Sequence, residues 1–189
     1  IIPQAIGNKK VCGYQFEGYW TDIGNIESFF EANIGLTEDI PKFNLYDMEN
    51  QVYTHARILP TSKYTNTKLK KAVIAEGCII HADRIESSVI GVRSRIGKGS
   101  VIKNCYMMGT DFYESLEEIE KNKIEILCGI GENCTINNAI IDKNCRIGDN
   151  TTINGGPHLE DTETDSYVIK EGIVVLKKEA VIPPGTTIG

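Results

Sequence analysis

The chain has 189 residues, 41% of them apolar and 24% charged, with a formal net charge of −6. That is enough apolar material for a real core and one or two domains, and the composition is not that of a disordered chain. The negative balance argues against nucleic acid or an anionic membrane as the main partner, and no apolar run approaches the roughly 20 residues of a membrane span.

Residues 1–10 carry no signal-peptide pattern and read as mid-protein sequence, so the chain is expected to be a piece of a longer one. Val11-Cys-Gly-Tyr-Gln-Phe16 reads as a strand. A turn follows over 17–24, then a helix from about Asn25, with Asn25 as N-cap and Ile26, Phe29, Phe30 and Asn33 at helical spacing. Within the turn the lone tryptophan, Trp20, stands two residues before Asp22. Asp22 has two readings: a turn carboxylate that faces solvent, or one hard oxygen ligand for Mg²⁺. Residues 36–70 form a polar connector punctuated by Pro41 and Pro60, with a strand-like Gln51-Val-Tyr-Thr54.

Residues 71–189 carry the dominant signal. Branched apolar residues recur every six positions, at Ile90, Ile96 and Ile102, at Ile130 and Ile136, at Ile141, Ile147 and Ile153, and at Leu176, Ile182 and Ile188. Four residues after an anchor the side chain is small: Ser94, Ser100, Cys134, Cys145, Thr151, Ala180, Thr186. A period of six fits neither a helix nor a two-faced strand. It fits short flat sides joined by corners, the hexapeptide pattern of a parallel β-helix. Two stretches break the rhythm. Residues 106–129 include Ser115-Leu-Glu-Glu-Ile-Glu-Lys-Asn-Lys123, a short exposed helix or excursion loop, and 155–166 form an acidic loop. Pro183-Pro184-Gly185 suits a corner. Of the six cysteines, Cys78, Cys134 and Cys145 occupy the small position, and none forms a CxxC pair, so buried reduced thiols are expected rather than zinc or disulfides.

Several segments in the same order carry a resemblance: Gly18-Tyr-Trp-Thr-Asp-Ile-Gly24, Ile26-Glu-Ser-Phe-Phe-Glu-Ala-Asn33, Tyr53-Thr-His-Ala-Arg-Ile-Leu-Pro60, Ser88-Val-Ile-Gly91, Met107-Met-Gly-Thr-Asp-Phe-Tyr113 and Ala139-Ile-Ile-Asp-Lys-Asn144. Together they resemble the glucose-1-phosphate adenylyltransferases, or ADP-glucose pyrophosphorylases, over essentially the whole chain. The resemblance implies a mainly β fold: a left-handed parallel β-helix preceded by the last strand and helix of an α/β nucleotidyltransferase domain. Residues 1–35 would be the end of that domain, 36–70 a connector, and 71–189 the regulatory and oligomerisation domain. The implied reaction joins ATP and glucose 1-phosphate to give ADP-glucose and pyrophosphate for glycogen or starch synthesis, with Mg²⁺ as cofactor. A cytoplasmic or plastid location and a homo- or hetero-tetramer follow from the same likeness.

On this reading Asp22 resembles the family's second metal-binding aspartate, and Asn25 stands where the family usually has Thr. The Gly-rich nucleotide loop and the first metal carboxylate are not in this sequence, so the chain alone is expected to be inactive. Arg57, with His55 beside it, matches a family effector arginine, and Lys143 and Lys178 match activator lysines. A shared site for an anionic metabolite is implied, the alternative being solvated surface cations. Lys177 alternates to the opposite face. Two other functions stay open: a hexapeptide acyltransferase, which would use a loop histidine as general base, although His81, after anchor Ile80, reads as a corner residue facing solvent, and a non-catalytic regulatory paralogue.

Overall fold

The computed structural model describes residues 1–121 and 123–189. From Lys63 onward the hexad rhythm becomes six coils of a parallel β-helix with three flat faces. Face one stacks Lys63–Tyr64, Ile79–Ile80, Arg95–Ile96, Gly129–Ile130, Arg146–Ile147 and Val181–Ile182. Faces two and three are carried by seven-residue strands, Lys68–Ile74, Arg84–Ile90, Val101–Met107 and Thr135–Ile141. Each bends at its centre through a left-handed residue, Lys71, Ser87, Asn104 or Asn138 (φ 45–53°). Asparagine suits that position because its short polar side chain lowers the penalty of a positive φ. In the fifth coil the two halves separate: Thr152–Asn154 pairs with the first half of Thr135–Ile141 and Ile173–Leu176 with the second. In the sixth, Thr187–Ile188 continues face two.

The period places one branched residue per face on the axis. Ile80, Ile96, Ile130, Ile147 and Ile182 form one inward column. Ile85, Ile102, Ile136, Ile153 and Ile188 form a second, and Ile90, Met107, Ile141 and Leu176 a third, all buried in one cluster. Each such side chain contributes about 1.5–3 kcal/mol on leaving water. The small residue of the hexad is buried where the coil turns. Its hydroxyl, when it has one, closes on a backbone carbonyl: Ser94 Oγ donates to Gly91 O (2.7 Å), Ser100 Oγ to Gly131 O (2.8 Å) and Thr151 Oγ1 to Gly148 O (2.7 Å). Cys78, Cys105, Cys128, Cys134 and Cys145 are buried free thiols, and Cys12 is exposed. Burial pushes Cys105 and Cys145 up to about 12 and Cys128 to about 11.

Two excursions leave the solenoid. The first, 109–128, contains the helix Leu116–Glu120, started by a capping box between Ser115 and Glu118; Asn122, within the stretch expected to be helix or loop, lies outside the described residues. The excursion is pinned by Glu114, 6% exposed, which accepts from Arg146 Nη1 (2.8 Å) and from the Cys128 amide (2.7 Å). The second, 155–172, is more than the acidic loop expected over 155–166. It holds Thr162–Glu163 and Tyr167–Lys170, and the latter lies antiparallel on Ile173–Leu176, covering the edge of face three.

The N-terminal region differs from expectation. The strand expected over 11–16, which would have been the last strand of an α/β domain, does not form, nor does the one at 51–54. Neither has a neighbouring strand to take its backbone hydrogen bonds, and an isolated strand is not stable. The helix does form, as Ile26–Ile34, with the Asn25 side chain accepting from the Ser28 amide (2.7 Å). It lies on the outer side of face three, where Val89, Tyr106, Ile140 and Val175 fall in one register column. Phe30 is buried against Ile140 and Ile173, and Phe29 meets Tyr106 edge-on at 5.4 Å. The expected connector overlaps the solenoid, because residues 63–70 belong to the first coil.

Candidate anion-binding corner

The corner that precedes face one repeats a tight turn on the coils either side of the rung at Gly109, where the first excursion leaves. Its third residue takes a positive φ: Gly77 (76°), Arg93 (56°), Asn144 (61°) and Glu179 (64°). A backbone ladder locks the turns in register. Arg93 N donates to Glu76 O, Thr110 N to Val92 O, Asn144 N to Gly109 O and Glu179 N to Lys143 O, at 2.9–3.2 Å. Glu76, Val92, Gly109, Lys143 and Lys178 therefore form one column with a spacing of about 4.8 Å. Lys143 and Lys178 are neighbours in it, although 35 positions apart in sequence.

The first excursion brings Asp111 to the nearer of this pair, Lys143. Lys143 Nζ is 2.5 Å from Asp111 Oδ1. Asn144 Nδ2 donates to Asp111 Oδ2 (3.2 Å), and the Asp111 amide returns a bond to Asn144 Oδ1 (2.9 Å). The Lys143 ammonium holds the Asp111 carboxyl below its ordinary value, the Asn144 amide adds to this, and Lys178 contributes at longer range. Lys178 itself is 58% exposed, with Glu179 at 4.0 Å as its nearest carboxylate. One lysine is thus matched by a carboxylate and the next is nearly free. The excursion continues along the corner: Thr110 Oγ1 donates to Arg93 O (3.1 Å), Tyr113 Oη to Gly77 O (2.8 Å), and the Arg93 guanidinium lies 5.8 Å from the Tyr113 ring centre.

Lys177 points elsewhere, to Glu163 Oε1 (2.9 Å) and Thr164 O (2.6 Å) in the second excursion. Arg57 and His55 are exposed and make no side-chain hydrogen bond or ion pair among the described residues. The chain after them attaches at Gly77, whose amide donates to Pro60 O (2.9 Å). Gly77 is three rungs, roughly 14 Å, from the rung of Lys143. The structure therefore brings together Lys143 and Lys178 and leaves Arg57 and His55 outside their cluster. Asp111 and Asn144 join it without having been singled out for a role, since nothing local in the sequence pairs positions 32 residues apart.

Asp22 is exposed, and its Oδ1 accepts from the Gly24 amide (3.0 Å), closing the turn. Mg²⁺ requires an octahedron of oxygens. Asp22 supplies a single carboxylate, and no group of three or more His, Cys, Asp or Glu side chains able to hold a metal occurs among the described residues. By themselves these residues do not make a magnesium site. His81 is an exposed corner residue.

A family model described as the GLGC left-handed parallel beta-helix domain matches residues 57–187. The chain belongs to this family. The match covers the solenoid from the approach to its first coil into its last, and it supplies the handedness, left, that strand pairing alone does not state. It also puts the chain with the C-terminal portion of the ADP-glucose pyrophosphorylases, whose β-helix domain is that of a nucleotidyltransferase.

Proposed function

We propose that this chain is part of an enzyme that makes ADP-glucose and pyrophosphate from ATP and glucose 1-phosphate. In this reading the corner at Lys143 and Lys178 binds the anionic metabolite that regulates it. The observation that carries the reading is the pair of lysines on adjacent rungs with a single carboxylate paired to one of them. Two lysines on adjacent rungs place like charge at one corner, and Asp111, paired with Lys143, offsets only part of it. A phosphate carries about −1.5 to −2 charges and three acceptor oxygens, so it answers both lysines where one carboxylate answers mainly Lys143. Arg57 and His55 carry no part of this reading.

The experiment is a titration of activator on a complete enzyme carrying this chain. Lys178→Ala raises the activator concentration for half-maximal stimulation, by roughly tenfold, the equivalent of about 1.4 kcal/mol. Asp111→Asn lowers it, because the competing carboxylate is gone. A Lys178→Ala enzyme with the activator response of wild type would sink the proposal. The same reading makes the chain one subunit of a homo- or hetero-tetramer, which light scattering of the complete enzyme checks.

A further inference from the structure

The corner that follows face one, on another edge of the solenoid, holds a groove of about 330 Å³. Its floor is a column of residues joined by the backbone ladder: His81 N donates to Ile96 O, Gly97 N to Ile130 O, Gly131 N to Ile147 O and Gly148 N to Ile182 O. At Gly97, Gly131 and Gly148 the next coil lies directly against the backbone: a Cβ on Gly131 would lie 2.4 Å from Asp149 Oδ1, and one on Gly148 2.7 Å from the Pro184 ring. A Cβ on Gly97 would lie 2.5 Å from the Gly131 carbonyl group, so the floor is flat because the coils approach this closely. Ile79, Ile126, Leu127 and Pro184 give the walls an apolar surface, with Ile126 and Leu127 brought over face one by the first excursion.

The charges of this groove are sorted along its length. His81, Arg95 and Lys98 lie on the second and third coils, Glu132 and Asp149 on the fourth and fifth, with Glu125 on the excursion. Two rungs, about 10 Å, separate the cationic end from Asp149. Among the described residues no carboxylate comes within ion-pairing distance of His81, Arg95 or Lys98, and their side chains make no hydrogen bond. Arg95 is half-buried. Its counterpart two rungs on the same face, Arg146, is instead held by Glu114 and by Ile126 O (2.6 Å). The Arg95 guanidinium has five donors and, among the described residues, no protein acceptor, so they are left for solvent or a ligand.

We propose that this groove is a binding site for a small oxyanion-headed molecule with a hydroxyl-bearing body. The head, phosphate or carboxylate, sits against Arg95, His81 and Lys98, where the planar guanidinium can give two parallel hydrogen bonds. The body lies on the glycine floor, and its hydroxyls donate toward the carboxylates of Glu132 and Asp149. The site is separate from the lysine corner and does not rest on that reading.

The test uses this chain with glycerol 3-phosphate, inorganic phosphate and glycerol as probes, followed by amide NMR. Glycerol 3-phosphate shifts the amides of Gly97, Gly131 and Gly148. Phosphate does so more weakly and glycerol does not. Arg95→Gln weakens binding of glycerol 3-phosphate at least tenfold, and Lys143→Ala with Lys178→Ala leaves the glycine shifts in place. Should Arg95→Gln fold poorly, the exposed positions give the same reading through His81→Gln and Lys98→Gln, each weakening binding severalfold. Shifts confined to residues 142–145 and 177–180, no shift at tens of millimolar probe, or wild-type binding by the Arg95 or paired His81 and Lys98 variants would overturn the proposal.

Discussion

In residues 63–189 apolar side chains recur every sixth position and converge on one core, whereas in residues 1–58, outside the helix Ile26–Ile34, they follow no period that a neighbouring element can use. Of the 23 large apolar residues left exposed among the described residues, 17 lie in 1–58, Trp20, Tyr53 and Ile58 among them. Phe30 is the one apolar side chain of that region, among the described residues, that is buried. The difference shows that hydrophobicity orders a chain only when its spacing matches a partner surface. Each coil hands its backbone hydrogen bonds to the next, so every added coil satisfies both its carbonyls and its core face. Residues 11–24 have local turns alone, and the helix Ile26–Ile34 is ordered because face three offers it an outward apolar column.

Thiol chemistry separates the two regions most sharply. At pH 8, Cys12 is alkylated by iodoacetamide, while the five solenoid cysteines resist until urea unfolds them. With thiols pushed to about 12, Cys105 and Cys145 carry a thiolate fraction on the order of 10⁻⁴ at that pH, in addition to being shielded. Rapid labelling of more than one cysteine in the native state would break the contrast. The same shifts fix a pH dependence. The folded-state values lie above the ordinary value of 9.0, so their stabilisation is complete below pH 9 and is lost as pH rises toward 12. Urea midpoints should fall across that window.

Core packing gives the next largest effect. Ile147→Ala, at a fully buried anchor, should cost roughly 2–5 kcal/mol through cavity formation, whereas Trp20→Ala, at a side chain 75% exposed, should stay within about 0.5 kcal/mol. Denaturant titration checks both, and equal losses would mean that residues 1–58 share the solenoid's core. Gly97→Ala should cost about 1–3 kcal/mol, since its Cβ meets backbone that cannot turn away. Smallest is Asn25→Ala, which removes the cap of the packed helix at about 1 kcal/mol. It should speed amide exchange within Ile26–Ile34 and leave the solenoid's unfolding midpoint in place.

Periodicity and chemistry that are local are legible in the sequence. The isoleucine anchors, the small fifth position and the Asn25 cap are each visible within six or seven residues. The first coil was hidden because Lys63-Tyr-Thr-Asn-Thr-Lys68 lacks an isoleucine anchor and is ordered by the coil after it. The strands read at 11–16 and 51–54 failed for the converse reason, a strand-like composition with nothing to pair with. In the candidate site, Lys143 and Lys178 were marked by resemblance, but their adjacency and the part played by Asp111 depend on the coil register. Two excursions shift that register in the linear sequence without disturbing it in space.

Hydrogen exchange of the 189-residue chain tests most directly the claim that its order resides in the solenoid and that residues 1–58 only rest on it. Amides of Ile96, Ile102, Ile136 and Ile147 should exchange only through global unfolding, those of 11–24 and 42–58 within seconds, and those of the packed helix in between. Uniform protection from residue 11 to the last coil, or rapid exchange at Ile136 and Ile147, would contradict it.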